Sequence, residues 1–168
     1  MTHDPLRRRD DELVEQCVKT VGQILSNYQA ALHLLEEAAA GGFGETVPPA
    51  LGFEVLRRAA RDVFAPVLDA CALVSPGLDD LVRESIGSAD DPPPPAHALR
   101  DVVVAERQRL AVTHSRLITR QAGLMKVARQ SDTAALVSAA RRLQELERGS
   151  HSAGALFNVL VERWKDAR

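Results

Sequence analysis

Hydrophobic residues recur along most of this chain at alternating steps of three and four, which is the spacing of one face of an α-helix. One unbroken seam of this kind consists of Val14, Val18, Val21, Leu25, Tyr28, Leu32 and Leu35. A second consists of Leu136, Ala139, Leu143, Leu146, Ser150, Ala153, Phe157, Leu160 and Trp164. Seams this long are typical of helices that pack along one another.

Glycine and proline clusters mark the ends of the predicted helices. A glycine-rich turn at 41–44 ends the first helix, and Ser75 with Pro76 caps a short helix that follows the second. Four consecutive prolines, at 92–95, predict an extended connector that cannot coil. The predicted helices span residues 10–40, 49–74, 76–86, 96–130 and 131–165.

These helices predict an all-α fold, an elongated antiparallel four-helix bundle with a short extra helix after the second helix and a long C-terminal helical hairpin. Residues 10–168 form its single domain. Residues 1–9 are expected to be a mobile tail because they have no apolar stripe to pack. Pro66 is expected to kink the second helix without ending it. The last helix is expected to continue through Gly149 and Gly154, since the seam keeps its phase there, with a close neighbouring helix compensating for the glycines.

Composition favours a folded, non-membrane protein. Of the 168 residues 45% are apolar, and the formal net charge is −2. The chain has no apolar run that could span a bilayer and no apolar segment behind its N-terminal arginines that would make a secretory signal, so we expect a cytoplasmic protein. Cys17 and Cys71 both fall on apolar helix faces, which favours reduced core thiols over a disulfide.

The helix at 96–130 has polar residues within its apolar pattern. Adjacent apolar pairs repeat every seven residues, at Val103 with Val104, Leu110 with Ala111, Leu117 with Ile118, and Leu124 with Met125. Arg107, His114 and Gln121 lie between these pairs, also seven apart. Such a ladder has three interpretations. The polar groups extend to the edge of the bundle and fix its register, or this face is only partly covered and receives another protein's helix. The third interpretation is a small-molecule or metal role.

Charge is unevenly distributed along the chain. Residues 100–129 contain seven basic and two acidic side chains, whereas residues 69–91 contain six acidic and one basic, so the two segments are expected to neutralise one another. Arg109, Arg116 and Arg120 share a predicted outward face that would suit an acidic partner. Nucleic-acid binding is not expected, because the overall charge is not basic and the basic helix has no aromatic residue for stacking.

The spacing of the histidines and of the serines does not match common catalytic or metal-binding patterns. The five histidines form no HxxxH pair, and the chain has no GxSxG sequence. We therefore expect no catalytic residue, metal or cofactor. A phosphotransfer role for His33 or His114 remains a third alternative, although neither is followed by the lysine and glycine that usually accompany such a histidine.

Two stretches of the chain resemble a known family. Glu106-Arg-Gln-Arg-Leu110 followed by His114-Ser-Arg-Leu117-Ile118, and Leu34 to Glu37 before a glycine turn, are similar to flagellar-export chaperones of the hook-filament junction proteins. The asparagines expected near His114 and a lysine expected in the second helix are missing. The resemblance implies a small cytosolic helical bundle that holds a secreted subunit for export.

The expected function is therefore non-catalytic binding of another protein's helix in a groove, as an export or assembly chaperone. The alternative is a helical scaffold or homo-oligomerisation module, including a homodimer. A catalytic bundle is the third possibility. The candidate partner-binding residues are Arg107, His114, Gln121, Arg109, Arg116 and Arg120.

Overall fold

The computed structural model describes residues 5–42, 49–86, 99–128, 133–149 and 152–166, and these ranges are all-helical, with no strand among them. The helices are α1 (Pro5–Ala40), α2 (Pro49–Val74), α3 (Pro76–Ile86), α4 (Leu99–Ala128), α5 (Thr133–Arg148) and α6 (Ala153–Asp166). The all-α prediction is confirmed for this part of the chain. None of these helices is both long and apolar enough to cross a membrane.

The bounds of α2 and α3 agree with the sequence prediction. Ser75 separates the two helices, and its hydroxyl accepts a hydrogen bond from the Gly77 N–H at 3.3 Å. The Ser75 carbonyl accepts another from the Leu78 N–H at 3.1 Å. The predicted cap is therefore present. The helix α2 continues through Pro66, as expected.

The start of α1 differs from the prediction. This helix begins at Pro5, so residues 5–9 are helical rather than part of a tail. Proline is tolerated in the first turn, where its missing N–H has no helical partner in any case. Residues 1–4, and the proline-rich connector predicted at 88–95, lie outside the described residues.

The predicted seam of α1 is the central part of the core. All seven of its residues are buried, each at most 4% exposed. The helices α4, α5 and α6 lie beside α1, and α3 lies between α2 and α4. Across the core from α1 lies α2, where Tyr28 meets Phe64 edge to face with ring centroids 5.2 Å apart. Burial of this long stripe accounts for much of the hydrophobic stabilisation.

The predicted last helix is interrupted. The helix α5 ends at Arg148, and the N–H of Gly149 donates a hydrogen bond to the Glu145 carbonyl at 3.0 Å. Ser152 caps the next helix, α6, and its hydroxyl accepts a hydrogen bond from the Ala155 N–H at 3.3 Å. A Cβ atom on Gly154 would meet no atom within 4 Å, so the expected close neighbour is absent at this described position.

Continuity through 131–165 is therefore a wrong prediction, because a glycine turn and a serine cap provide a local alternative to the helix. The first half of the seam is correct, with Leu136, Ala139, Leu143 and Leu146 buried. After the break the buried set becomes Leu156, Leu160 and Trp164, and Phe157 is only partly buried.

The adjacent apolar pairs of α4 do not both face the core. Val103, Leu110 and Leu117 are buried, whereas Ala111 and Ile118 are exposed. The buried face of α4 consists of Val102, Val103, Glu106, Leu110, Thr113 and Leu117. The polar groups of this seam are therefore Glu106 and Thr113, and not the predicted ladder.

Both cysteines are buried and unpaired, as predicted. Burial raises the pKa of Cys17 to about 11 and also raises the pKa of Cys71. Both thiols are therefore protonated at neutral pH and are poor nucleophiles.

Candidate functional site

An open groove of about 330 Å³ lies between α1 and α4 on the surface. We call it the α1–α4 groove. It is lined by Val18, Lys19, Gly22, Gln23 and Ser26 from α1 and by His114, Leu117 and Ile118 from α4. Ile118 is 64% exposed, the largest exposure among the large hydrophobic side chains described. The groove thus combines an apolar rim with amide, hydroxyl and imidazole groups.

The α1–α4 groove depends on the glycine at position 22. A Cβ atom there would lie 3.5 Å from His114 Nε2 and 3.8 Å from a methyl carbon of Leu117. Gly22 is buried in the middle of a long helix, so α4 approaches the α1 backbone at a point with no side chain. A larger residue would fill the space beside Ile118.

Gly22→Ala is expected to stabilise the fold by roughly 0.5–1 kcal/mol, because alanine removes the entropic penalty of glycine in a helix interior. The added methyl makes only ordinary van der Waals contacts with His114 and Leu117. Urea unfolding followed by circular dichroism measures the difference. The matched control is Gly154→Ala in α6, where the added methyl meets nothing. A loss of stability in Gly22→Ala alone would show that α1 and α4 are closer together than described.

Arg107, the first residue of the predicted ladder, lies at the α1-facing edge of α4. Its Nη1 donates a hydrogen bond to His33 Nδ1 and lies 3.1 Å from Glu36 Oε2. The contact with Glu36 is an ion pair without a hydrogen bond to that oxygen. The other ring nitrogen of His33, Nε2, lies 3.3 Å from Glu37 Oε1. Arg107 therefore ties α4 to the C-terminal part of α1.

The predicted arginine patch is divided. Arg109 is mostly buried and donates to Glu106 Oε2 at 2.6 Å and to the Glu84 carbonyl at 2.8 Å. Arg116 is half-exposed and pairs with the Glu84 carboxylate. Arg120 is exposed. The shared outward face is therefore wrong for Arg109, whose carboxylate partner draws it inward.

The six candidate residues do not form one site. Arg107 and His114 lie on the α1 side of α4, whereas Arg109 and Arg116 lie on the α3 side. The side chain of Gln121 lies outside the described residues. Among the five candidates whose side chains are described, His114 alone lines the α1–α4 groove. The ion pair of Arg116 with Glu84 joins the basic and acidic segments as expected, whereas Arg109 contacts only the backbone carbonyl of Glu84.

A buried ionic cluster was missed by the sequence prediction. Glu106 Oε1 lies 3.0 Å from Arg57 Nη2, with the side chains only 5% and 6% exposed, and its other oxygen accepts from Arg109. Arg57 also donates to the Ile86 carbonyl at 2.9 Å. One carboxylate therefore holds two guanidiniums, each of which binds a carbonyl near the C-terminal end of α3. The pKa of the Tyr28 hydroxyl is raised, mainly because the side chain is buried and secondly because the negative charge of Glu106 lies nearby.

The spacing in the sequence contains a signal for this cluster. Val103, Glu106, Leu110, Thr113 and Leu117 follow one another at steps of three and four, which places the glutamate in the buried stripe. A carboxylate in such a stripe requires a buried cation. The signal does not show which arginine supplies it.

Among the described residues, no three His, Cys, Asp or Glu side chains form a group that could hold a metal ion. No protein-family model, curated protein or solved structure matches this chain. Its function is therefore inferred from the geometry of its own residues.

Proposed function

We propose that this protein binds an amphipathic helix of another protein in the α1–α4 groove. The observation that carries the proposal is the exposure of Ile118 beside the opening at Gly22. A large apolar side chain on the rim of an open groove is the arrangement that receives an apolar helical stripe. Covering Ile118 would contribute about 1–2 kcal/mol of hydrophobic free energy.

The polar lining of the groove would orient the bound helix. Ser26 and Gln23 on α1 and His114 on α4 carry groups that both donate and accept hydrogen bonds. They suit polar side chains at the edges of the incoming apolar stripe. Lys19 also lines the groove, and its ammonium is paired with Glu15 at 3.2 Å. The partner would therefore be a helix with a narrow apolar stripe bordered by polar residues.

We further propose that the protein acts in the cytoplasm as an export or assembly chaperone. The resemblance of residues 106–118 to flagellar-export chaperones supports this role. In this proposal α1, α2, α4 and the α5–α6 pair form the antiparallel four-helix bundle, and α3 is the additional helix. The placement of α4 beside α1 and of α3 against α2 and α4 supports that arrangement.

Ser26→Trp tests the groove. Ser26 lines it and is half-buried, so an indole at this position would occupy the space of the bound helix. We expect binding of the partner, identified by mass spectrometry after co-purification, to weaken at least about tenfold, equivalent to roughly 1.4 kcal/mol. Titration by isothermal calorimetry with the purified partner measures this change.

The control is Ala65→Trp, which places the same side chain at an exposed position on α2. This variant should bind the partner as the unaltered protein does. Equal binding by Ser26→Trp and Ala65→Trp would contradict the groove proposal.

A second candidate function, a helical scaffold that associates with its own copies, is favoured by a different surface. The outward side of α4 carries exposed Val112 and Ile118 and exposed alanine at position 111. Such a face is also suitable for pairing with a like helix.

A further inference from the structure

The side of α4 that faces away from the core carries no charged residue over about four turns. We call this surface the outer face of α4. It consists of Val104, Ala105, Gln108, Ala111, Val112, Ser115, Ile118 and Thr119, all of them exposed or half-buried. In a chain with 26% charged residues, a solvated helix face of this length would ordinarily carry charges. Val112 is 55% exposed and Ile118 64% exposed.

The outer face of α4 has the spacing of a helix-packing seam. Val104, Gln108, Ala111, Ser115 and Ile118 follow one another at alternating steps of four and three. This is a second seam on the helix, separate from the buried one. Two seams on one helix explain why its apolar residues occur as adjacent pairs, with one member of each pair on each seam.

The charges that border the outer face are neutralised within the chain. On the α1 side Arg107 is engaged by His33 and Glu36. On the α3 side Arg116 pairs with Glu84. Neither border therefore requires an acidic partner. An uncharged strip with neutralised borders can meet an identical strip without like-charge repulsion, which makes the face complementary to itself.

We infer that a second copy of this chain packs on the outer face of α4, with the two α4 helices antiparallel about a two-fold axis. In this arrangement Ala111 lies opposite Ser115 of the second copy, since pairing the smallest residues gives the closest approach of the helices at the axis. Gln108 then lies opposite Ile118 of the second copy. The antiparallel direction also keeps the two Arg107 side chains at opposite ends of the interface.

The contact is small, so the dimer is concentration-dependent. The seam from Val104 to Ile118 extends about 20 Å along the helix, at 1.5 Å per residue. One helix pair of this length buries less than the roughly 1,200 Å² of most stable interfaces. We expect a monomer–dimer equilibrium rather than an obligate dimer.

This dimer rests on the second candidate function, association with like copies, and adds to it the direction and register of the two helices. One consequence rests on the proposed binding of a partner helix in the groove. Ile118 lies both on the rim of the α1–α4 groove and on the outer face of α4. A bound partner helix and a second copy would therefore compete for it, and partner binding would dissociate the dimer.

Sedimentation equilibrium of the full chain over a wide concentration range tests the inference. We expect the unaltered protein to shift from monomer to dimer as its concentration rises. Ile118→Glu should associate at least about tenfold more weakly, because two carboxylates would be buried at the interface. The control is Leu73→Glu, which replaces another large apolar residue, 50% exposed, on α2. It should associate as the unaltered protein does. A monomer at every concentration, or an undiminished dimer in Ile118→Glu, would overturn the inference.

Cysteine cross-linking tests the direction of the helices. When the Gln108→Cys and Ile118→Cys proteins are mixed and oxidised mildly with diamide, one molecule of each should become linked by a disulfide. Neither variant should form such a dimer alone. The native Cys17 and Cys71 are buried and do not interfere. Cross-linking of each variant with itself would contradict the antiparallel arrangement.

Failure of the dimer and failure of the proposed function are distinguishable. Ser26→Trp changes the groove and leaves the outer face of α4 unaltered, so it should lose partner binding and keep the dimer. Loss of the dimer in Ser26→Trp would mean that the second copy occupies the groove instead, which overturns the inferred interface.

Discussion

Leu117→Asp is expected to unfold the protein. Leu117 is 2% exposed and belongs to the core cluster between α1 and α4. The substitution removes a buried apolar side chain and places a carboxylate in the core. The two effects together cost about 4–5 kcal/mol or more, which is comparable to the whole stability of a domain of this size. Loss of helical circular dichroism at 25 °C is the expected observation.

The neighbouring residue provides a matched control. Ile118→Asp introduces the same carboxylate one position further along α4, at a side chain that is 64% exposed. It should retain the helical spectrum and change the free energy of unfolding by less than about 1 kcal/mol. If Leu117→Asp folds as well as Ile118→Asp, the rotation of α4 about its axis is different from that described.

Glu106→Ala is expected to lower the free energy of unfolding by about 3–5 kcal/mol, because it leaves buried guanidiniums without their carboxylate. Arg57 is only 6% exposed on its side chain and cannot turn to solvent without moving α2 or α3. Arg109 is 28% exposed and can do so more easily. The larger part of the effect should therefore come from Arg57. Urea unfolding at neutral pH measures it.

A double variant separates the cost of an unpaired charge from the worth of the pair. Arg57→Met with Glu106→Leu removes both buried charges and should be less destabilising than Glu106→Ala alone, since apolar residues can replace a buried ion pair at little cost. The surface control is Glu54→Ala, which breaks an exposed pair with Arg58 at 2.6 Å and should change stability by less than about 0.5 kcal/mol. Equal effects of Glu106→Ala and Glu54→Ala would show that the cluster is solvated.

The buried ionic cluster lies on the side of α4 that faces α2 and α3. The guanidiniums of Arg57 and Arg109 bind carbonyls of α3 while sharing Glu106, so α2, α3 and α4 are joined by one ionic cluster. The opposite, α1-facing side has the glycine at position 22 and an open groove. Binding in the groove would thus leave the ionic cluster undisturbed.

The sequence by itself determined the features that depend on local spacing. The seam of α1 could be predicted residue by residue because its apolar positions step by four and three without a break. The apolar neighbours Cys17, Ile24 and Ala31 adjoin one side of this stripe and are also buried, so they widen the stripe and do not offer a second one. The bounds of α2 and α3 were predictable because Ser75 and Pro76 satisfy the first turn of a helix locally. The absence of strands from the described residues follows from the same period.

Only the tertiary structure decided the features for which the sequence allows two solutions. In α4 each apolar pair supports two adjacent phases, and packing against α1 and α3 selected the one that buries Leu117 and exposes Ile118. Between α5 and α6 the seam favoured continuity, but the glycine turn and the Ser152 cap prevailed because no neighbouring backbone approaches Gly154.

The groove required the same tertiary information. It forms where the imidazole of His114 lies beside the backbone of Gly22, and these two residues are 92 positions apart in the chain. Periodicity places each residue on a face of its own helix, but it does not specify which faces meet. That choice depends on the summed burial of all the helices, which only the folded chain expresses.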